Sequence, residues 1–132
     1  MFIHLNAHSA YSLQEGLSLP SELAQAAASD GMAALGLTDH RLLSGTVEFV
    51  SACLKAGVQP ILGLEIDLES GPLSLLAMDQ AGWANLCALS SALALQPDPE
   101  SPCSPDLLGA HSGSLIALSG AYGNQLETLR EI

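Results

Sequence analysis

Positive charge is the scarcest commodity in this 132-residue chain: 3 Lys+Arg stand against 14 Asp+Glu, a formal net charge of -11. A surface of that sign repels phosphate backbones, which excludes a stand-alone nucleic-acid-binding module. Aromatic residues make up only 4% against a hydrophobic fraction of 48%, so the core must be aliphatic. Cysteine is also sparse. Cys53, Cys87 and Cys103 are odd in number, widely spaced and form no C-x-x-C pair, which argues against a disulfide framework and for reduced thiols. Long apolar runs are missing, so no membrane span is expected. Nor does a basic stretch followed by an apolar one open the chain, so no signal peptide is expected and a cytoplasmic location is.

What is present alternates. Met1–Gly16 (MFIHLNAHSAYSLQEG) begins as a strand and runs into His4, Asn6, His8 and Glu15. On an extended chain Asn6 and His8 point the same way, since side chains alternate with a period of two. Residues 17–30 read as a helix with Pro20 in its first turn, Glu22 near its positive end and Gly31 as its cap. Residues 32–38 are short and almost wholly apolar, as a buried parallel strand would be, and end at Thr38-Asp39-His40. A helix follows from Gly45 to Gly57, with Val47, Val50 and Leu54 expected on its inner face. Residues 60–68 are the next strand, turning at Ser70-Gly71-Pro72 into a hairpin partner at 73–78. Helix 80–95 carries a stripe of Trp83, Leu86, Leu89 and Leu93. Residues 96–105 (QPDPESPCSP) hold four prolines and read as a loop. Residues 114–119 look like another buried strand, and 124–131 like a last helix.

Strand–helix alternation implies right-handed βα units around a mostly parallel sheet or barrel, with one hairpin. Functional groups in such folds collect at the carboxyl ends of strands. Those ends carry His8, His40, Glu65 and Ser119. Two imidazoles and a carboxylate suit a divalent transition metal such as zinc, manganese or iron. Glu15 and Asn6 are weaker candidates. His4 is expected in the wall of the fold. No nucleophile elbow, phosphate loop or dinucleotide glycine fingerprint competes with this reading.

Three stretches carry a resemblance: HLNAHSAYS at 4–12, G-M-x-A-L-x-L-T-D-H at 31–40 and G-V-x-P-I-L-G-L-E at 57–65. They are similar to the PHP (polymerase and histidinol phosphatase) family, most closely to the PHP domains at the N-termini of bacterial DNA polymerase III alpha subunits. LLAMDQAGWANL at 75–86 and LIALSG at 115–120 resemble further segments of those domains, in the same order. The resemblance implies a distorted barrel with a multinuclear metal site at the strand ends and, in active members, metal-dependent phosphoesterase or 3′–5′ exonuclease chemistry. By position, His8 matches the second His of an H-x-H motif, His40 the histidine of T-D-H and Glu65 the glutamate of G-x-E.

Departures from the pattern imply a degenerate site. Asn6 replaces the first His of H-x-H, Glu15 replaces Asp, Pro72 falls where many members have a ligand His, and Ala121 where many have Cys. The last metal motif of the family is not reached, so a truncated domain over 1–132, about the first half of the PHP fold, is expected. Asp39 is expected to orient the adjacent loop or His40. Arg41, beside His40, suits either a phosphate or a salt bridge.

The leading expectation is a structural or organising part of a polymerase alpha subunit with no catalysis of its own, partnered by polymerase domains or replisome subunits, with a metal or with none. A metal-dependent phosphoesterase (exonuclease or pyrophosphatase type) is the second reading. A stand-alone half-barrel that self-associates through uncovered strand edges is the third.

Overall fold

The computed structural model describes residues 1–120, 125–130 and 132. In chain order it forms α1 (Pro20–Ser29), β1 (Ala34–Leu37), α2 (Thr46–Ala56), β2 (Gln59–Leu68), β3 (Gly71–Ala77), α3 (Gln80–Ala94), α4 (Pro105–Ala110), β4 (Leu115–Ser119) and α5 (Gln125–Arg130). The four strands make one sheet in the order β1-β2-β3-β4. β1 and β2 pair in parallel, whereas β3 pairs antiparallel with both β2 and β4. Three strands therefore run the same way and only the hairpin return, β3, is reversed.

Local chemistry accounts for the boundaries. Pro20 occupies the first turn of α1, where no N–H is missed, and the Glu22 carboxylate accepts from the Leu19 N–H at 2.8 Å. α2 stops at Gly57 (φ 73), a left-handed position that glycine adopts without a Cβ penalty. At the start of α3 the Asp79 carboxylate accepts from the Gly82 N–H at 2.9 Å. That backbone bond, and to a lesser degree the Ser114 hydroxyl, holds its carboxyl below the usual range despite an opposing desolvation effect.

The opening residues are not a regular strand. They follow β1 through a single parallel bridge, Ala7 to Leu37. Gly36 N–H donates to His4 O (2.7 Å) and Ala7 N–H to Gly36 O (3.2 Å). Two residues, Leu5 and Asn6, thus lie where a regular parallel ladder has one. A Cβ on Gly36 would come within 2.6 Å of Leu5 O, so glycine is what admits this backbone. The irregularity also breaks the alternation on which His4 depended. His4 is exposed and meets Phe2 edge-on, with centroids 4.7 Å apart.

Two cores flank the sheet. Ala24, Ala27, Leu35, Leu37, Phe49, Cys53 and Val58 pack α1 and α2 on β1. Leu64, Ile66, Leu68, Leu73 and Leu75 pack against Leu86, Leu89, Leu93, Cys103 and Leu108. Each fully buried leucine contributes about 1.5–3 kcal/mol. The α3 stripe lies as expected, with Leu86, Leu89 and Leu93 buried and Trp83 partly so.

Three expectations need correction. On α2, Val47 and Leu54 are 82% and 68% exposed, and the inner face is Phe49 and Cys53. Both stripes have helical spacing, so periodicity could not choose between them. β4 is not a buried run: only Leu115 and Leu118 are half-covered, because among the described residues it pairs on one side only. The proline-rich loop ends one residue early. Pro105 begins α4, with the Ser104 hydroxyl accepting from the Leu107 N–H at 3.2 Å. Of the last predicted helix, Asn124 and Glu131 lie outside the described residues, as does Ala121.

Candidate metal centre

The parallel register of β1 and β2 persists beyond β1. Ala34 faces Gln59 and Leu37 faces Leu62; His40 faces Glu65 at the same offset of 25 residues. Glu65 N–H donates to Asp39 O (3.1 Å) and Arg41 N–H to Glu65 O (2.8 Å). Residues in register on neighbouring strands present their side chains on one face, so His40 and Glu65 meet. Two residues on, Asp67 shares that face by alternation. Ser74 and Pro72 lie opposite Glu65 and Asp67 on β3.

The opening loop closes over these strand ends. Asp39, 2% exposed, accepts three bonds of 2.7 Å: from Ser9 N–H, the Ser9 hydroxyl and the Ser12 hydroxyl. The Ser12 oxygen in turn accepts from His40 N–H at 3.0 Å. Tight turns then carry the chain to Glu15, whose N–H donates to Ser12 O at 3.0 Å. The Asp39 carboxylate is thus the anchor of the loop, and its hydrogen bonds reach the His40 N–H through Ser12.

The result is a chain of acids and imidazoles. His8 Nδ1 is 3.3 Å from Glu15 Oε2, and His8 Nε2 is 3.3 Å from Glu65 Oε2. His40 Nδ1 is 2.9 Å from Glu15 Oε1, and His40 Nε2 is 2.6 Å from Asp67 Oδ2. Burial alone would pull the His40 imidazole down. The Asp67 hydrogen bond, with the charges of Asp67, Glu15 and Glu65, outweighs it and raises the pKa above 6.5.

His8, Glu15 and Glu65 each offer a ligand atom, and these three atoms lie within 4.8 Å of one another. His8 Nε2 is buried and, despite its proximity to Glu65, makes no hydrogen bond. One imidazole nitrogen and two carboxylate oxygens this close together, with a buried His8 nitrogen left without a hydrogen bond, fit a divalent metal ion.

The sequence-derived candidates separate here. His8, Glu15 and Glu65 converge. His40 is adjacent but outside this group, its Nδ1 on Glu15 Oε1 and its Nε2 on Asp67 Oδ2. Asn6 does not turn towards them either: its oxygen accepts from the Thr38 hydroxyl (2.8 Å) and its amide donates to Ser74 (3.0 Å). Both amide ends are therefore committed, one to Thr38 just past β1 and one to Ser74 within β3. Asp67 was missed, although its spacing of two from Glu65 was a usable signal. Arg41 binds within the protein. Its guanidinium donates to Ser101 O (3.0 Å) and Gln96 Oε1 (3.3 Å) and lies 3.6 Å from Asp67 Oδ2. Residues 96–105 are pinned at the site from the other side as well, by Cys103 N–H donating to Asp67 O at 2.7 Å.

The PHP domain family model matches residues 4–130. An error-prone DNA polymerase of Symbiobacterium thermophilum is 37% identical over 97% of this chain, and the DNA polymerase III subunit alpha of Bacillus subtilis is 35% identical over 98%. The chain spans only 14% and 12% of those two proteins. Among solved structures, an amidohydrolase from Chromobacterium violaceum, with bound sulfate and no metal, superposes with a TM-score of 0.56. It is 25% identical and aligns with 96% of this chain and 43% of its own. A two-domain protein from Bacteroides vulgatus, described as containing a predicted PHP-like metal-dependent phosphoesterase, gives a TM-score of 0.60 at 20% identity. That alignment covers 94% of this chain and 36% of the other. From the match over nearly all of its length, and from its sequence similarity to DNA polymerase III alpha subunits, this chain belongs to the PHP domain family.

Proposed function

We propose that this chain is the PHP part of a bacterial DNA polymerase III alpha-type subunit, acting in the cytoplasm beside polymerase domains and other replisome subunits. Its acid–imidazole cluster is a structural centre that ties the opening loop to the sheet and holds a divalent ion on His8, Glu15 and Glu65. The observation that carries this reading is the Glu15 carboxylate, which bridges His8 and His40 from a loop outside the sheet. Through it, and through His40 to Asp67, residues from three separate stretches of chain are held in one network. With most donors and acceptors already spent on one another, the network organises the fold more readily than it receives a substrate. Arg41, committed to Ser101, Gln96 and Asp67, serves here as a salt-bridge and loop tether and not as a phosphate ligand.

A second reading, a metal-dependent phosphoesterase, is favoured by the buried His8 Nε2 that lacks a hydrogen bond. A bound divalent ion would supply an activated water and polarise a phosphoryl oxygen. His8, Glu15 and Glu65 would hold it, and Asp39 would keep the His8 loop in place through Ser9.

Metal analysis with a hydrolysis assay separates the two. On the structural reading, the purified chain carries metal, chelation or His8→Ala lowers its melting temperature, and no phosphodiester is cleaved by the wild type. Hydrolysis of a phosphodiester that is lost in His8→Ala would overturn it in favour of the enzyme.

A further inference from the structure

Three carboxylates gather at the strand ends, but they do not share one environment. Glu15 and Glu65 face His8, with Glu15 also on His40 Nδ1, whereas Asp67 lies on the other ring nitrogen of His40, its Oδ2 2.6 Å from His40 Nε2 and 3.6 Å from an Arg41 nitrogen. Arg41 is one of only 3 Lys+Arg in the chain, and its side chain is 15% exposed. It is fixed at both ends. Its backbone sits in the left-handed region (φ 61), donating to Glu65 O and accepting from the Ser90 hydroxyl at 2.8 Å. Its guanidinium is held by Ser101 O and Gln96 Oε1. A non-glycine residue keeps that backbone conformation only where its surroundings impose it. This cation is therefore built into the site and does not sample the surface.

We propose that Arg41 takes the place of a second cation beside Asp67, so that this chain holds a single divalent ion and not a multinuclear centre. The inference rests on the reading that His8, Glu15 and Glu65 hold an ion. An ion bound between His40 and Asp67 would meet the fixed guanidinium as a like charge on the same carboxylate. The local charges agree. One divalent ion and one guanidinium together carry as much positive charge as the carboxylates of Glu15, Glu65 and Asp67 carry negative.

Manganese titration of the 132-residue chain tests this, with free Mn²⁺ counted by electron paramagnetic resonance and bound metal counted after gel filtration. The wild type should bind one equivalent. Arg41→Gln, checked for folding by circular dichroism, should gain a second and weaker equivalent, lost again when Asp67→Asn is added. Arg41→Lys, which keeps the charge, should stay at one. Asp67→Asn alone should also stay at one, and this measurement does not depend on how well Arg41→Gln folds. Two or more ions in the wild type, one ion in folded Arg41→Gln, or loss of the ion in Asp67→Asn would each overturn the role given to Arg41. A wild-type count of zero would instead remove the ion site itself, and this inference with it.

Discussion

The two halves of the molecule meet at the site but are built on different terms. The parallel half, α1, β1 and α2, packs Phe49 among Ala24, Ala27, Cys53 and Val58 with two leucines, Leu35 and Leu37. The hairpin half, β2 to β4 with α3 and α4, has a core of leucines. Small residues let helices approach closely but leave few contacts to lose, so one large side chain carries much of the packing. A leucine core spreads the same task over many positions. The division matters for the site because each half supplies one side of it: His40 and Asp39 end the parallel half, and Glu65 and Asp67 lie on the strand that opens the hairpin.

The comparison breaks most directly at Phe49. Phe49→Ala should cost about 3–5 kcal/mol, measured by urea denaturation, since it empties the largest side chain of this core. Leu86→Ala in the leucine core should cost less, about 2–4 kcal/mol, because neighbouring leucines can partly close the cavity. Equal losses would mean that the two cores are not different in kind. Asp39→Ala should follow, at about 2–3 kcal/mol, because it orphans a buried N–H and two hydroxyls at once. Unlike the core variants, it should also weaken metal binding, by freeing the loop that carries His8 and Glu15. Ser104→Ala, which removes the cap of α4 in the hairpin half, should cost about 1 kcal/mol in the same assay.

The smallest effect is a slope with pH. His40 is raised above 6.5 when folded, so the folded state holds its proton more tightly than the unfolded chain does. That contribution is complete below the unfolded value near 6.5 and disappears as pH rises through the folded one. With chelator present, the melting temperature should fall across that window, and His40→Ala should flatten the change. A melting temperature that rises over the window in the wild type would contradict the Asp67 and Glu15 contacts to His40.

Much of this was legible beforehand, and the exceptions are instructive. The hairpin announced itself by Ser70-Gly71-Pro72 between apolar runs, and α3 by a stripe whose alternative face was too small to compete. On α2 two apolar stripes were available, and only packing against α1 and β2 could choose. α4 has a serine, a proline and an acid at its start, but six residues are too few for a period to emerge. At the site, His8, Glu15, His40 and Glu65 were all nameable from their motifs. Asp67 was overlooked although it lies two residues from Glu65 on the same strand.

The sequence by itself named His8, Glu15, His40 and Glu65 as candidates from their motifs, and it indicated the family through five ordered segments. Only the tertiary structure decided what each of them faces. The ring nitrogens of His40 point at Glu15 and Asp67 because the 25-residue register sets His40 beside Glu65. Asn6 is spent on Thr38 and Ser74 because the extra residue opposite Gly36 shifts the opening segment. Arg41 enters the site because its left-handed backbone turns a residue adjacent to His40 towards Asp67 and the proline-rich loop. Each of these depends on contacts between residues far apart in the chain, where local spacing carries no information.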